Sequence, residues 1–401
     1  MTLKITNIGQ LATYNSEIAS FERVNNTEIV IEEGCIEQIG EKLPSTHDEI
    51  DANGHLVTPG FVDPHTHSVF ARTRENEFEM RTAGMTYQDI AASGGGIWSS
   101  VKAFREMDED ELIRRVEGRL REFLQFGTTT LEVKSGYGLS TGYELKSFRV
   151  MEQAKKEVPI DIVPTFLGAH DFPEEYSENQ SGYIDLVCDE MIPAVVEQGI
   201  AEFCDVFCEK GWFNVEDSRR ILQVARDYGL KLRLHADEFE DSGAASLAAE
   251  LLAFSADHLM RISDDGIRLL AENGVVAVLL PGTTFFLGET SYAPAGKLLA
   301  AGTEIALASD FNPGSSMIQS MAFIMSLACL YMGMTVEEAL RAATFGGAKS
   351  LDRENIVGSI EPGKQADLII WNLKELSEIP YRITGNYVEK VIKKGILVVN
   401  R

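Results

Sequence analysis

Between about Leu56 and Leu351 the chain alternates short apolar runs with longer amphipathic stretches. The runs are LVTPGFVDPH, TTTLEV, IDIVPTFLGAH, AEFCDVFCE, LKLRLHADE, FSADHL, VVAVLLPG and EIALASDFN. Their near-continuous apolar character predicts strands buried on both faces rather than strands with one wet face. The stretches between them, such as DEDELIRRVEGRLREFLQFG and VEDSRRILQVARDYG, carry helical periodicity with an acid near the start and Gly at the end. Eight buried strands joined by helices predict an α/β fold, a (β/α)8 TIM-like barrel, because parallel strands need crossover helices. Both ends of the chain read differently. LKITNIGQLAT and TEIVIEEGCIEQIG at one end, and QADLIIWNL and VEKVIKKGILVVN at the other, look like short strands with turns. The predicted organisation is a barrel over residues 58–356, with residues 1–57 and 357–401 joining into a small β-sandwich domain.

Composition narrows the partners. The 401 residues hold 62 acids against 36 bases, a net charge of −26, which argues against nucleic acid or an anionic membrane as partner. The N-terminus has no signal-peptide pattern, and no apolar run reaches the ~18 residues of a membrane span. The five scattered cysteines (Cys35, Cys188, Cys204, Cys208, Cys329) read as reduced thiols, so the expected location is cytoplasmic. Cys204 and Cys208 have no second pair to complete a zinc tetrad.

The polar residues at predicted strand ends carry the chemistry, since active sites of such barrels lie there. Five of the seven histidines fall at these positions: His65, His67, His170, His235 and His258. His65 and His67 are two apart, so their imidazoles share one face and form a chelating pair. His235 and Asp310, from other parts of the barrel, add a third nitrogen and a carboxylate. Three His and one Asp suit zinc, and equally iron or manganese.

These positions resemble the amidohydrolase superfamily. Longer motifs (NEFEMRTAGMTY, ASGGGIWSSV, EVKSGYGL, TFLGAH, HADE, SADHL, VLLPGTTFFLG and ASDFNPGSS) resemble the imidazolonepropionase family within it. The resemblance implies hydrolysis of the ring amide of 4-imidazolone-5-propanoate to N-formimidoyl-L-glutamate, the third step of L-histidine degradation. It implies one divalent or trivalent metal ion, zinc or iron, held by His65, His67, His235 and Asp310. Asp310 would also move the proton of the attacking water, with His258 steadying the water or the oxyanion. Glu238 would touch water and substrate, which requires the strand of His235 to end or bend near Ala236, because strict alternation would present Asp237 instead. The small anionic imidazolone substrate would be met by Arg74 at its carboxylate, with Arg72 as competitor, and by Tyr137, His170, Asn312, Gly314 and Ser315.

Another amidohydrolase activity, such as an aminoimidazole or nucleobase deaminase, is the alternative. A neutral base needs no carboxylate clamp, so Arg74, Tyr137 and His170 discriminate. Gly94, Gly95 and Gly96 read as a lid and not as a phosphate cradle, since no following Lys-Ser supports one. Lys134 offers a metal-bridging carbamate on paper, but a single metal is expected. Gly346 and Gly347 replace residues more usually Asn and Ala in this family. By analogy with barrels that pair through exposed helices, a homodimer is expected.

Overall fold

Eight parallel strands occupy the middle of the chain in the computed structural model, which describes residues 2–85, 89–90 and 94–401. Thr86 and Tyr87 of NEFEMRTAGMTY, and Ala92 and Ser93 of ASGGGIWSSV, lie outside the described residues. In chain order the barrel strands are Phe61–Asp63, Thr128–Lys134, Asp161–Ala169, Phe203–Cys208, Lys231–Ala236, Ser255–His258, Val276–Leu279 and Ile305–Leu307. Each pairs with its sequence neighbours. All are buried along their length, apart from partly exposed first residues at Asp161 and Lys231, which is why they read as apolar runs. The first and eighth strands meet just beyond their ends, where Thr66 bridges Phe311, Asp310 N donates to His65 O at 3.1 Å and His67 N donates to Phe311 O at 2.9 Å. The seam of the barrel is therefore stitched by the residues singled out for chemistry.

The helices form for ordinary reasons. Glu109–Gln125 is capped by the Asp108 carboxylate, which accepts from Asp110 N and Glu111 N, and it buries Leu112, Val116, Leu120, Phe123 and Leu124 on one face. Val215–Asp227 is capped in the same way by Asn214. The last helical segments of the barrel, Ala342–Gly346 and Gly347–Ser350, press directly on the strands. A Cβ at Gly346 would stand 2.1 Å from the Ile305 carbonyl oxygen, and one at Gly347 2.5 Å from that of Val62. These glycines thus permit a closer helix–strand approach than Asn and Ala would.

One apolar run splits. LVTPGFVDPH holds two strands: Leu56–Pro59 joins the terminal sheet and Phe61–Asp63 joins the barrel. Gly60 between them packs against Thr129, where a Cβ would lie 2.4 Å from the hydroxyl oxygen. The terminal sheet also has eight strands. Leu56–Pro59 sits in its middle, parallel to Thr2–Asn15 on one side and antiparallel to Leu368–Trp371 on the other. The long strand Thr2–Asn15 is bulged between Ile5 and Ile8, which bends the sheet. Leu3, Ile5, Ile29, Ile31, Val57, Leu368, Ile370 and Ile392 then share one core. Lys393, the last residue of Val388–Lys393, and Lys394 after it reach Asp161 at 2.7 and 2.6 Å and tie this sheet to the barrel. Among the described residues no helix is long and apolar enough to cross a membrane.

Candidate metal centre and substrate pocket

His65 and His67 follow the first barrel strand, His235 lies in the fifth, His258 ends the sixth and Asp310 follows the eighth. Their rings converge: His65 lies 4.6 Å from His235 and 5.3 Å from His67, centroid to centroid. Asp310 Oδ1 stands 3.6 Å from His65 Nε2 and 3.4 Å from His67 Nε2. His258 and Asp310 sit at φ +78° and +51°, a conformation that L residues avoid. Such strain of about 1–3 kcal/mol each is kept only where the surroundings enforce it. For Asp310 they are the His65 carbonyl, bound by its N–H, and the Thr283 hydroxyl, which donates to Oδ2 at 2.5 Å.

The donor set fits a cation. Burial, reinforced by Lys134 and His235, holds the His65 imidazole well below the usual histidine range, so it is neutral. Its Nδ1 lies 2.6 Å from Asp257 Oδ2 and donates to it, leaving Nε2 with a lone pair. That Nε2 is buried and has no hydrogen-bond partner. Metal bonds of about 2.0–2.1 Å place neighbouring ligand atoms of a tetrahedron ~3.3 Å apart, close to the His–Asp separations seen here. Among the described residues, two such groups have ligand atoms within 4.8 Å of one another: His65, His67 and Asp310, and His65, His235 and His258.

Beneath the histidines lies a layer of buried charge. His235 Nδ1 pairs with Asp205 Oδ1 at 3.0 Å, as His65 does with Asp257. Lys134 Nζ bonds Asp205 Oδ2 at 2.7 Å and Glu132 Oε1 at 2.8 Å, and Arg233 Nη2 bonds Asp257 Oδ2 at 3.1 Å. Burial pulls the Lys134 amine down, but Asp205 and Glu132 outweigh it and hold the pKa above the usual lysine value. It is an ammonium, and a carbamate requires the neutral amine.

The fifth strand ends at Ala236. Asp237 turns at φ +50°, and its carboxylate accepts from Ser242, Ala244 and Ala245 backbone N–H groups. Glu238 is thereby buried beside His258, Oε2 to Nε2 3.7 Å. Burial, then the charges of Asp310 and Glu209, push its pKa well above the carboxylate range, while burial pushes His258 down to about 3.

His170 stacks on His67 at 5.1 Å and 18°, and Tyr137 packs 5.6 Å from His170 and 6.2 Å from His67. Arg74 Nη2 bonds Glu77 Oε2 at 2.7 Å, and its guanidinium lies so close under Gly314 that a Cβ there would come within 2.6 Å of Nη1. Arg72 is exposed. The Asn312 side chain shapes this turn: Oδ1 accepts from Gly314 N and Ser315 N, both at 2.8 Å, and Nδ2 donates to Asp310 O at 2.7 Å. A surface cavity of about 640 Å³, bordered by Trp98, Lys102, Arg105 and Glu175, contains none of the metal-centre residues.

Residues 56–398 match the amidohydrolase family. The chain is 51% identical to the imidazolonepropionase of Alkaliphilus metalliredigens (strain QYMF) over 88% of its own length and 83% of that protein. It is 48% identical to the imidazolonepropionase of Geobacillus kaustophilus (strain HTA426) over 94% and 91%. The chain belongs to the imidazolonepropionases of the amidohydrolase family. Its fold also superposes on 5-methylcytosine deaminase from Klebsiella pneumoniae liganded with phosphonocytosine, with a TM-score of 0.77 and 20% identity, covering 99% of this chain and 98% of that one.

In this imidazolonepropionase family member Asp205, Asp257, Glu132 and Arg233 also belong to the site, beneath the predicted residues. A signal was available. Arg233 precedes His235 by two, and Glu132 precedes Lys134 by two, so each shares an inward face with a residue already noticed. Gly94, Gly95 and Gly96 open the helix Ile97–Glu106, and Gly96 N donates to Glu77 Oε1 at 3.0 Å, which connects them to Arg74.

Proposed function

We propose that this chain hydrolyses the ring amide of 4-imidazolone-5-propanoate to N-formimidoyl-L-glutamate in L-histidine degradation. Kinship with the imidazolonepropionases supports the substrate, and one observation carries the chemistry: the buried, neutral, unpartnered Nε2 of His65 beside Asp310. His65, His67, His235 and Asp310 would hold one zinc or iron ion. When bound, such an ion lowers the pKa of water to about 7 and polarises a carbonyl.

The chain's own groups then have distinct tasks. The Asp310 carboxylate, steadied at Oδ2 by the Thr283 hydroxyl, would take a proton from the attacking water and return it to the leaving ring nitrogen. Neutral His258 donates an N–H to the developing oxyanion. Glu238, buried beside His258, would contact the water and the ring. Arg74 and Tyr137 hold the propanoate, and His170 holds the ring edge. Gly314 and Ser315 close the pocket over Arg74, and Asn312 keeps their turn in shape. The free state of all five cysteines fits a reaction carried out in the cytoplasm.

The test is turnover of enzymatically generated imidazolone propionate, followed by loss of the ring chromophore, with and without chelator. Turnover that chelator abolishes and added metal restores is the expected result. No turnover at confirmed metal loading would turn attention to deaminase chemistry.

A further inference from the structure

Glu144 is fully buried in the helix Thr141–Glu157 and grips the loop that carries Tyr137. Its Oε2 accepts from Gly136 N at 3.0 Å, and its Oε1 accepts from Gly138 N at 2.9 Å and Leu139 N at 2.8 Å. An ionised carboxylate is costly to bury unless donors surround it, and three converging backbone N–H groups make such a nest. The other edge of the loop is held as well. Arg105 Nε donates to Gly138 O at 2.9 Å and Nη2 to Leu139 O at 3.3 Å, with Nη1 anchored on Glu175 at 2.5 Å.

Between these grips the backbone has no slack. Gly136 sits at φ +103° and Leu139 at φ +49°, and a Cβ at Gly138 would stand 2.6 Å from the Tyr143 carbonyl carbon. Gly136 O also accepts from His170 Nδ1 at 2.9 Å, which puts the His170 proton on Nδ1 and leaves Nε2 as an acceptor. One carboxylate thus governs the placement of a tyrosine and the tautomer of a histidine.

We infer that Glu144 is a positioning residue for substrate recognition, setting Tyr137 and His170 through the Gly136–Leu139 loop. This rests on the substrate-binding roles proposed for Tyr137 and His170. In Glu144→Gln the amide NH2 must face one of the loop N–H groups, donor against donor, and the loop shifts.

The experiment compares imidazolone propionate with an analogue whose propanoate is replaced by propyl, in Glu144→Gln, Tyr137→Phe and Arg105→Gln. Glu144→Gln is expected to raise KM about tenfold with kcat changed less than about threefold. Metal content is expected to stay at the wild-type ratio, and preference for the carboxylated substrate to fall as far as in Tyr137→Phe. Arg105→Gln, at a partly exposed residue, is expected to shift the same quantities in the same direction by less, and it decides the matter should Glu144→Gln fail to fold. Unchanged preference in Tyr137→Phe overturns the reading of Tyr137 itself. Lost preference there, but wild-type KM and preference in Glu144→Gln, or in Arg105→Gln when the former is unfolded, overturns the positioning role. A lower Tm with wild-type KM marks Glu144 as merely structural and overturns it as well.

Discussion

The Asp257 carboxylate meets His65 Nδ1 at 2.6 Å and Arg233 Nη2 at 3.1 Å on the same oxygen, all three side chains being fully buried. It fixes which nitrogen of His65 carries the proton and the plane in which the ring lies. Partners of this kind typically govern metal affinity by 10–100-fold. Asp257→Asn is therefore expected to weaken metal binding by about that factor, measured by competition with a chromophoric chelator. Unaltered affinity would mean that His65 is oriented by packing alone.

Lys134 neutralises Glu132 and Asp205 from within the barrel. Removing one partner of a buried ion pair costs about 3–5 kcal/mol. Lys134→Met should lower the denaturation midpoint accordingly, and adding Glu132→Gln should recover part of the loss. Because Lys134 remains an ammonium, elemental analysis of the wild-type protein is expected to give one metal per chain, and a ratio near two would refute this.

Arg74 stands between Glu77 and Gly314, with Nε buried and unpartnered. Arg74→Ala is expected to raise KM for the carboxylated substrate by one to two orders of magnitude, since a charge-assisted hydrogen bond contributes about 1.5–3 kcal/mol. Arg74→Lys should recover only part, as an ammonium cannot match the planar fork. Unchanged kcat/KM in Arg74→Ala would remove the carboxylate-binding assignment.

Asp161 couples the barrel to the terminal sheet. Burial alone would raise its pKa, but Lys393, Lys394 and Gln365 bring it down from 3.8 to about 2. The folded value lies below the unfolded one, so the stabilisation is present above pH ~4 and is lost as pH falls from ~4 to ~2. The side chain is 35% exposed, so solvent screening reduces the contribution to about 1 kcal/mol. Asp161→Asn should lower the urea midpoint at pH 7 and leave the two proteins nearly equal at pH 2. A constant difference across that window would show that the ion pairs carry no weight.

Gly346 has no room for a side chain against Ile305. Gly346→Ala gains helix propensity but forces the helix off the strand. Overpacking of this kind costs about 1–3 kcal/mol, so thermal unfolding should come several degrees lower. A raised Tm would show that the helix can slide.

Much of the barrel was legible because its strands are buried on both faces and stand out as unbroken apolar runs between capped helices. The split of LVTPGFVDPH was not, since Leu56–Pro59 and Phe61–Asp63 are equally buried and only the packing at Gly60 separates them. His65, His67, His235, His258 and Asp310 were visible as polar residues at strand ends. Asp205 and Asp257 were not, because a lone acid inside a run such as FCDVFC shows its meaning only when a histidine from the neighbouring strand arrives beside it. Asn312, singled out by a motif as a substrate contact, also shapes the turn that carries Gly314 and Ser315, a role that no motif shows.

The strand Leu56–Pro59 depends on neighbours from opposite ends of the chain, Thr2–Asn15 and Leu368–Trp371. During translation the first neighbour is made before it and the second only after the entire barrel. Until Leu368–Trp371 leaves the ribosome, one side of Leu56–Pro59 presents unpaired backbone and the apolar Val57, a template for another nascent chain. Completion of the small sheet waits until the whole barrel has been made, and a ribosome stalled within the last barrel helices leaves that edge open to aggregation.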